Sequence, residues 1–97
     1  MYNAERNLVH LENMQNHAIK RLFERYGIVL PIPDYRKFCQ MCVDGSSPPL
    51  ARGQGESTIH KFEFRGKTLW AIFRFDQRAI ATFLPKTPYE IRKAGLA

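Results

Sequence analysis

The sequence has few of the features by which a membrane protein or a metalloprotein is first recognised. No apolar run approaches the ~20 residues of a membrane-spanning helix, and the N-terminal residues contain no hydrophobic signal region. The two cysteines form a single C-x-x-C pair, with no second pair and no histidine pair at zinc-finger spacing. From these absences we expect a cytoplasmic protein with no membrane partner, no metal and no cofactor.

Common catalytic signatures are also missing. Gly53-Gln54-Gly55 lacks the preceding strand and the following helix that a phosphate-binding or dinucleotide loop requires. Paired carboxylates have no support, because Glu63 is the only acid on its predicted sheet face. Cys39 and Cys42 lie late in a predicted helix and on its apolar side, which predicts buried free thiols and not a redox pair.

Acidic residues are scarce relative to basic ones. The 97 residues carry a formal net charge of +6, which favours a polyanionic partner. Residues 1 to 45 hold six basic and five acidic side chains, whereas residues 46 to 97 hold nine and four. The positive charge is therefore concentrated in the second half of a chain that is long enough for one domain, residues 1 to 97.

Two helices are predicted in the first half of the chain. Apolar residues at helical spacing from about Leu11 to Tyr26 predict the first helix, with Gly27 as its C-terminal cap. Residues 1 to 13 are predicted to be a frayed lead-in. Asp34 is the expected N-cap of a second helix that ends at Gly45. The predicted apolar stripe of the first helix comprises Leu11, Met14, Ala18, Ile19, Leu22, Phe23 and Tyr26.

A three-stranded antiparallel meander is predicted from Thr58 to Leu84. A hairpin turn at Gly66-Lys67 would pair Glu63 with Trp70 and place Phe62 and Phe64 on a core face. The third strand has two open registers. In one, Ile80, Thr82 and Leu84 face the core, and in the other it is Ala79, Ala81 and Phe83.

The remaining segments complete an α+β fold. Residues 45 to 57 are rich in turn formers and are predicted to be a mobile loop, and Thr87-Pro88 starts a short C-terminal helix. We therefore expect two N-terminal helices packed on one face of the three-stranded sheet, followed by that short helix.

The other sheet face is the main candidate for nucleic-acid binding. It is predicted to carry Lys61, Arg65, Trp70 and Arg74, which would combine aromatic stacking with phosphate contacts. Nearby basic residues that would extend this surface are Arg52, Lys67, Arg78 and Lys86. Arg21 on the first helix is a further candidate for nucleic-acid binding. The alternative is that Trp70 covers this face beneath the C-terminal helix, with the charges at the rim.

Any acid and base pair that uses imidazole must come from His10, His17 and His60. On the side of the first helix away from its apolar stripe, His10, His17 and Arg21 align at i, i+7 and i+11. His17 beside Arg21 would place a proton donor or acceptor next to a phosphate clamp. His60 falls on the core face and is predicted to be a packing residue.

A longer pattern resembles a known family. His17-Ala18-Ile19-Lys20-Arg21 is followed by Glu24-Arg25-Tyr26-Gly27-Ile28, a second helix, a loop, and a meander ending in Arg78-Ala79-Ile80-Ala81-Thr82. This pattern resembles small phage and mobile-element proteins that are similar in outline to RelE-like toxins and the barnase, colicin and RelE-type ribonuclease fold.

The resemblance implies an open sheet face that meets RNA. It also implies metal-independent cleavage, in which basic side chains stabilise the phosphorane while a ribose 2′-OH attacks. The positions that match the family pattern are His17, Arg21, Arg78 and Thr82, and Tyr89 is a late-chain candidate for proton donation.

Two functional hypotheses follow from the sequence. The first is an RNA-binding protein of RelE-like type, acting as a metal-independent ribonuclease, with Arg65, Arg74, Arg78 and His17 as catalytic candidates. The second is a noncatalytic phage or mobile-element module, which uses the same Trp70 and arginine surface to dock an acidic host protein or an antitoxin-like partner.

Overall fold

The computed structural model describes residues 4–85, 87–93 and 95, with side chains from residue 10 onward. The elements in chain order are α1 (Ala4–Tyr26), α2 (Ile32–Asp44), β1 (Ala51–Arg52), β2 (Ser57–Phe64), β3 (Lys67–Arg74), β4 (Ala79–Leu84) and α3 (Tyr89–Lys93). The strands form one antiparallel sheet in the order β1-β2-β3-β4. The predicted α+β class is confirmed, but the sheet of the described chain has four strands where three were expected.

Helix α1 is longer than its sequence pattern suggested. It begins at Ala4, inside the segment that was predicted to be frayed, whereas residues 1–3 of that segment lie outside the described residues. Gly27 ends the helix with φ +69. Ala18 and Leu22 are fully buried as predicted, but Phe23 is 56% exposed because it lies on the side of α1 away from the sheet.

Helix α2 starts two residues before the predicted N-cap. Pro31 occupies the N-cap position and Pro33 lies in the first turn, where a missing N–H leaves no hydrogen bond unmade. The N-cap role predicted for Asp34 is therefore wrong, and its carboxylate lies instead in the first turn, where the helix dipole favours negative charge. Tyr35 and Phe38 on this helix are buried in the core.

The β2–β3 hairpin turns at Arg65-Gly66, one residue before the predicted position. Both residues have positive φ, +50 and +77, which is the signature of a two-residue type I′ turn. Phe62 consequently pairs with Leu69 and not with Ala71. Because the partner changes by two residues, an even number, every side chain that remains in the two strands keeps its predicted face, whereas Arg65 moves from the sheet face into the turn.

Strand β4 contains a β-bulge at Ala81, which resolves the two open registers. Phe73 pairs with Ile80, but the preceding residue Ile72 pairs with Thr82, so Ala81 is an extra residue in the ladder. Before the bulge Ile80 faces the helices, and after it Phe83 does so. Each predicted register is therefore right for one half of the strand.

The segment predicted to be a mobile loop contains regular structure. Its residues Ala51 and Arg52 form β1, which pairs with Ile59 and Thr58 of β2. Ser57, the last residue of the segment, is the first residue of β2. The prediction of a loop over residues 45 to 57 is therefore wrong for the part of it that joins the sheet.

The sheet is covered on both faces. The main core lies between the helices and one sheet face and includes Leu22, Phe38, Phe62 and Phe83. On the other face a smaller cluster joins Ile59 and Trp70 to Ile91 of α3. No helix in the described part of the chain is long and apolar enough to cross a membrane.

Candidate functional site

The sheet face predicted to bind nucleic acid is not open at its aromatic residue. Trp70 is only 5% exposed, because Ile91 of α3 packs against it together with Ile59. The stacking role predicted for Trp70 is therefore wrong, and the alternative in which the C-terminal helix covers this face is confirmed. Sequence periodicity could not show this, since α3 reaches the sheet only through the tertiary fold.

The basic residues of that face lie at its rim. The Lys61 ammonium is 6.0 Å from the centre of the Trp70 ring, and the Arg65 guanidinium is 5.0 Å from the Phe64 ring. Both cations are exposed. Arg65 lies in the β2–β3 turn and Arg74 at the far end of β3, roughly 25 to 30 Å away at the rise of an extended strand. The two arginines cannot act on one phosphate.

Arg74 is already engaged within the protein. Its Nε and one terminal nitrogen donate to the two Asp76 carboxylate oxygens, at 3.1 and 3.0 Å. These hydrogen bonds hold the pKa of Asp76 below its ordinary value. The guanidinium fork is thus occupied by a carboxylate, which argues against the catalytic role predicted for Arg74.

Three other predicted binding residues lie apart from the Trp70 face. Lys67 donates to the Tyr26 carbonyl at the C-terminus of α1, at 3.5 Å, where the helix dipole favours a cation. Arg52 is exposed on the edge strand β1, and Arg21 lies on α1. Lys86 lies outside the described residues. The sequence-predicted basic residues therefore do not form one continuous surface.

Arg78 lies on the helix side of the sheet. It has φ +55 and lines a cavity of about 400 Å³ between α1, α2 and the start of β4, which also includes Arg36 and Glu12. This cavity shares no lining residue with the groove that contains His17. Arg78 therefore cannot be grouped with His17, although the family pattern placed both among its matching positions.

A groove between α1 and β4 brings two histidines together. It has a volume of about 450 Å³ and is lined by His10, Asn13, Met14, His17, Ala81 and Thr82. His10 and His17 are exposed, and Thr82 is half-buried beside the β-bulge. The sequence predicted the alignment of the histidines along α1, and the fold places β4 opposite them.

The helix geometry sets the spacing of these groups. Seven residues of α-helix separate His10 from His17 by roughly 10 Å along the axis, which leaves room for a phosphodiester between two imidazoles. Arg21 follows His17 at i+4 and is its neighbour on the helix surface. Its guanidinium is 3.6 Å from the Glu24 carboxylate in an exposed i,i+3 pair, which holds it only weakly.

His60 takes no part in this groove. It is 1% exposed, its Nδ1 lies 2.8 Å from the Ser47 carbonyl, and its Nε2 lies 2.7 Å from the Thr58 hydroxyl. The carbonyl only accepts, so Nδ1 carries the proton and Nε2 accepts from Thr58. Burial lowers the pKa of His60. The packing role predicted for His60 is confirmed.

The two cysteines are free and half-buried against the main core. The Ile80 amide donates to the Cys39 Sγ at 3.4 Å. Burial raises the pKa of both thiols, that of Cys42 to about 12. In the described residues no group of three or more His, Cys, Asp or Glu is arranged to hold a metal ion.

No protein-family profile, no curated protein and no solved structure matches this chain. What the groove does must therefore follow from its own side chains. Among them are His17 and Thr82, two of the four positions that carry the RelE-like resemblance, and Arg21, a third, lies one helical turn beyond.

Proposed function

We propose that this chain binds RNA in the groove between α1 and β4 and cleaves it without a metal ion. The observation that carries the proposal is that His10 and His17 line one exposed groove together with Thr82. Two imidazoles on either side of a phosphodiester are sufficient for general acid and base catalysis of RNA cleavage.

The reaction is an internal transesterification. One neutral imidazole takes the proton of the ribose 2′-OH as that oxygen attacks the phosphorus. The bond from phosphorus to the 5′-oxygen breaks, and the other imidazole, protonated, gives its proton to the leaving oxygen. The products are a 2′,3′-cyclic phosphate and a free 5′-OH, so no water, metal or redox partner is consumed.

Arg21 would stabilise the negative charge that develops on the phosphate. The Arg21 guanidinium is next to His17 on α1, and an anionic phosphorane would draw it from its weak pair with Glu24.

This proposal moves the site from the sheet face to the groove. The noncatalytic docking module is the weaker alternative, because it used Trp70 as its anchor and that ring is buried. Arg65, Arg74 and Arg78 are left out of the proposed catalytic set. Arg65 lies at the opposite end of β3 from the other two, Arg74 is paired with Asp76, and Arg78 lines a different cavity.

The test is a cleavage assay on a short single-stranded RNA in the presence of a chelator. We expect a 2′,3′-cyclic phosphate product, and no cleavage of the same oligonucleotide made as DNA. His17→Gln and His10→Gln should each reduce the rate by roughly 10² to 10⁴-fold, the usual contribution of a positioned acid or base. Arg36→Gln, an exposed change outside the groove, is the matched control and should retain the wild-type rate.

Two results would contradict the proposal. One is the absence of any cleavage by the folded wild-type protein. The other is a double His10→Gln and His17→Gln variant that cleaves as fast as the wild type, because the activity would then arise elsewhere or from a contaminant.

A further inference from the structure

Part of the outer edge of β2 has no neighbouring strand. The short strand β1 covers β2 only at Thr58 and Ile59. On that side, the Ser57 carbonyl accepts from the Gly53 amide and the Ile59 carbonyl from the Leu50 amide, at 3.0 and 2.9 Å.

Because backbone groups alternate sides along a strand, Lys61 and Glu63 point their N–H and C=O groups to the same side as Ile59. Within the described residues no strand or loop backbone pairs with them there. Four strong hydrogen-bonding groups are thus left at an exposed edge, where they form a template for another strand.

An apolar depression lies beside this edge. It has a volume of about 460 Å³, and its apolar lining residues are Phe38, Met41, Pro48, Leu50 and Phe62. Its rim includes Lys61 and Glu63 themselves. A strand added to the edge would therefore cover apolar surface as well as satisfy backbone groups.

The side chains at the edge favour one particular partner. Lys61 and Glu63 are both exposed and lie on the same sheet face with one residue between them. We propose that two copies of this chain associate by antiparallel pairing of their β2 edges about a two-fold axis at Phe62. Lys61 of each copy then lies opposite Glu63 of the other, and four backbone hydrogen bonds form between the strands.

The charges also select the register. A lysine on an edge strand ordinarily discourages pairing, but the glutamate two residues further on makes the sequence complementary to itself. Sliding the strands so that the axis passes through Glu63 would place two glutamates opposite each other, which is unfavourable. This inference is independent of the proposed ribonuclease activity, because neither Lys61 nor Glu63 lines the histidine groove.

The test is sedimentation equilibrium over a range of protein concentrations. We expect the wild-type protein to shift from monomer towards dimer as concentration rises. Lys61→Glu and Glu63→Lys should each weaken dimerisation by roughly tenfold or more, because each replaces two attractive pairs per dimer with two repulsive ones. The double variant, Lys61→Glu with Glu63→Lys, exchanges the charges and should restore dimerisation.

Mixing the two single variants gives the most specific test. The two single variants, each monomeric alone, should form a mixed dimer when combined, since one then presents two acids and the other two bases. Unchanged Trp70 emission will confirm that each variant is folded, because that ring is buried beneath α3. A wild type that stays monomeric at every concentration, single variants that dimerise like the wild type, or a failed restoration by the double variant would each overturn the proposal.

Discussion

At the scale of single residues, His60 is a histidine that the fold keeps neutral. Its ring bridges the Ser47 carbonyl and the Thr58 hydroxyl, and it lies between the rings of Phe62 and Phe73. Burial lowers its pKa below the ordinary 6.5, and the bond to Ser47 only partly offsets this. Protonation would remove the acceptor that Nε2 presents to Thr58.

We expect this residue to make stability depend on pH. Well above pH 6.5 the His60 ring is neutral in both the folded and the unfolded chain, so its contribution to the free energy of unfolding does not change with pH. As pH falls below 6.5 the unfolded chain binds a proton that folded His60 refuses, so the free energy of unfolding declines. The decline continues until folded His60 also titrates at its lowered pKa. Urea denaturation at several pH values measures how the free energy of unfolding changes with pH.

The control for this prediction is the His60→Gln variant. It should be less stable than the wild type, but it should lose the His60 contribution to the slope just below pH 6.5. His17→Gln, an exposed change on α1, should retain that contribution. Equal slopes in His60→Gln and the wild type would show that another group causes the effect.

At the scale of elements, the β2–β3 turn holds an ordinary residue in an unfavourable conformation. Arg65 has φ +50 beside Gly66 at φ +77, and a left-handed backbone is disfavoured by roughly 1 to 2 kcal/mol for a residue with a bulky side chain. Asparagine adopts this conformation more readily and is preferred at the first position of a type I′ turn.

Arg65→Asn should therefore raise the free energy of unfolding by up to about 1 kcal/mol. Thermal or urea denaturation measures the change. The matched control is Lys61→Asn, which removes an exposed cation from the same hairpin at a residue without positive φ and should not stabilise the protein. A decrease in stability for Arg65→Asn would mean that the contact of Arg65 with the Phe64 ring outweighs the backbone strain.

The helices and strands differ in how much of their structure could be predicted from the sequence. Helical periodicity and Gly27 identified α1 and its end, because local spacing and one left-handed residue determine them. Alternation identified the two faces of the hairpin but not its register, since a shift of two residues leaves the faces unchanged. The bulge at Ala81 and the pairing of β1 depend on contacts distant in sequence, which periodicity cannot report.

The same distinction applies to the candidate site. His17 and Arg21 were identified because they recur on one helix face, and α1 itself preserves that relation. The predicted grouping of Arg65 with Arg74 and Arg78 required the turns at opposite ends of β3 to meet in space, and they do not. The burial of Trp70 depended on where α3 docks, which no local pattern encodes.

At the scale of the whole molecule, the net charge of +6 is spread over several surfaces. In the described part of the chain only Arg21 and Arg74 form ion pairs with acidic side chains. Most basic side chains are thus available to contact a polyanion, in whichever direction it extends from the groove. RNA binding should consequently be strongly weakened by salt.

We expect the logarithm of RNA affinity to fall linearly with the logarithm of salt concentration. A single strand that contacts about four phosphates gives a slope near −3, which is a loss of roughly 50-fold between 50 and 200 mM salt. Fluorescence anisotropy with a 2′-O-methyl RNA, which cannot undergo transesterification, measures binding alone. Arg21→Gln should reduce the slope by about 0.7, and a slope near zero would contradict phosphate binding.

The β-bulge has one further consequence, for how this protein tolerates genetic change. Because Ala81 offsets the alternation within β4, Ile80 and Phe83 both face the main core although they are three positions apart. Most replacements along β4 would leave that offset intact. Loss of the single codon for Ala81 would remove only the extra residue, because Thr82 would still pair with Ile72 and Phe83 would still face the core. This position should therefore tolerate a one-residue deletion that would exchange the two faces of a regular strand.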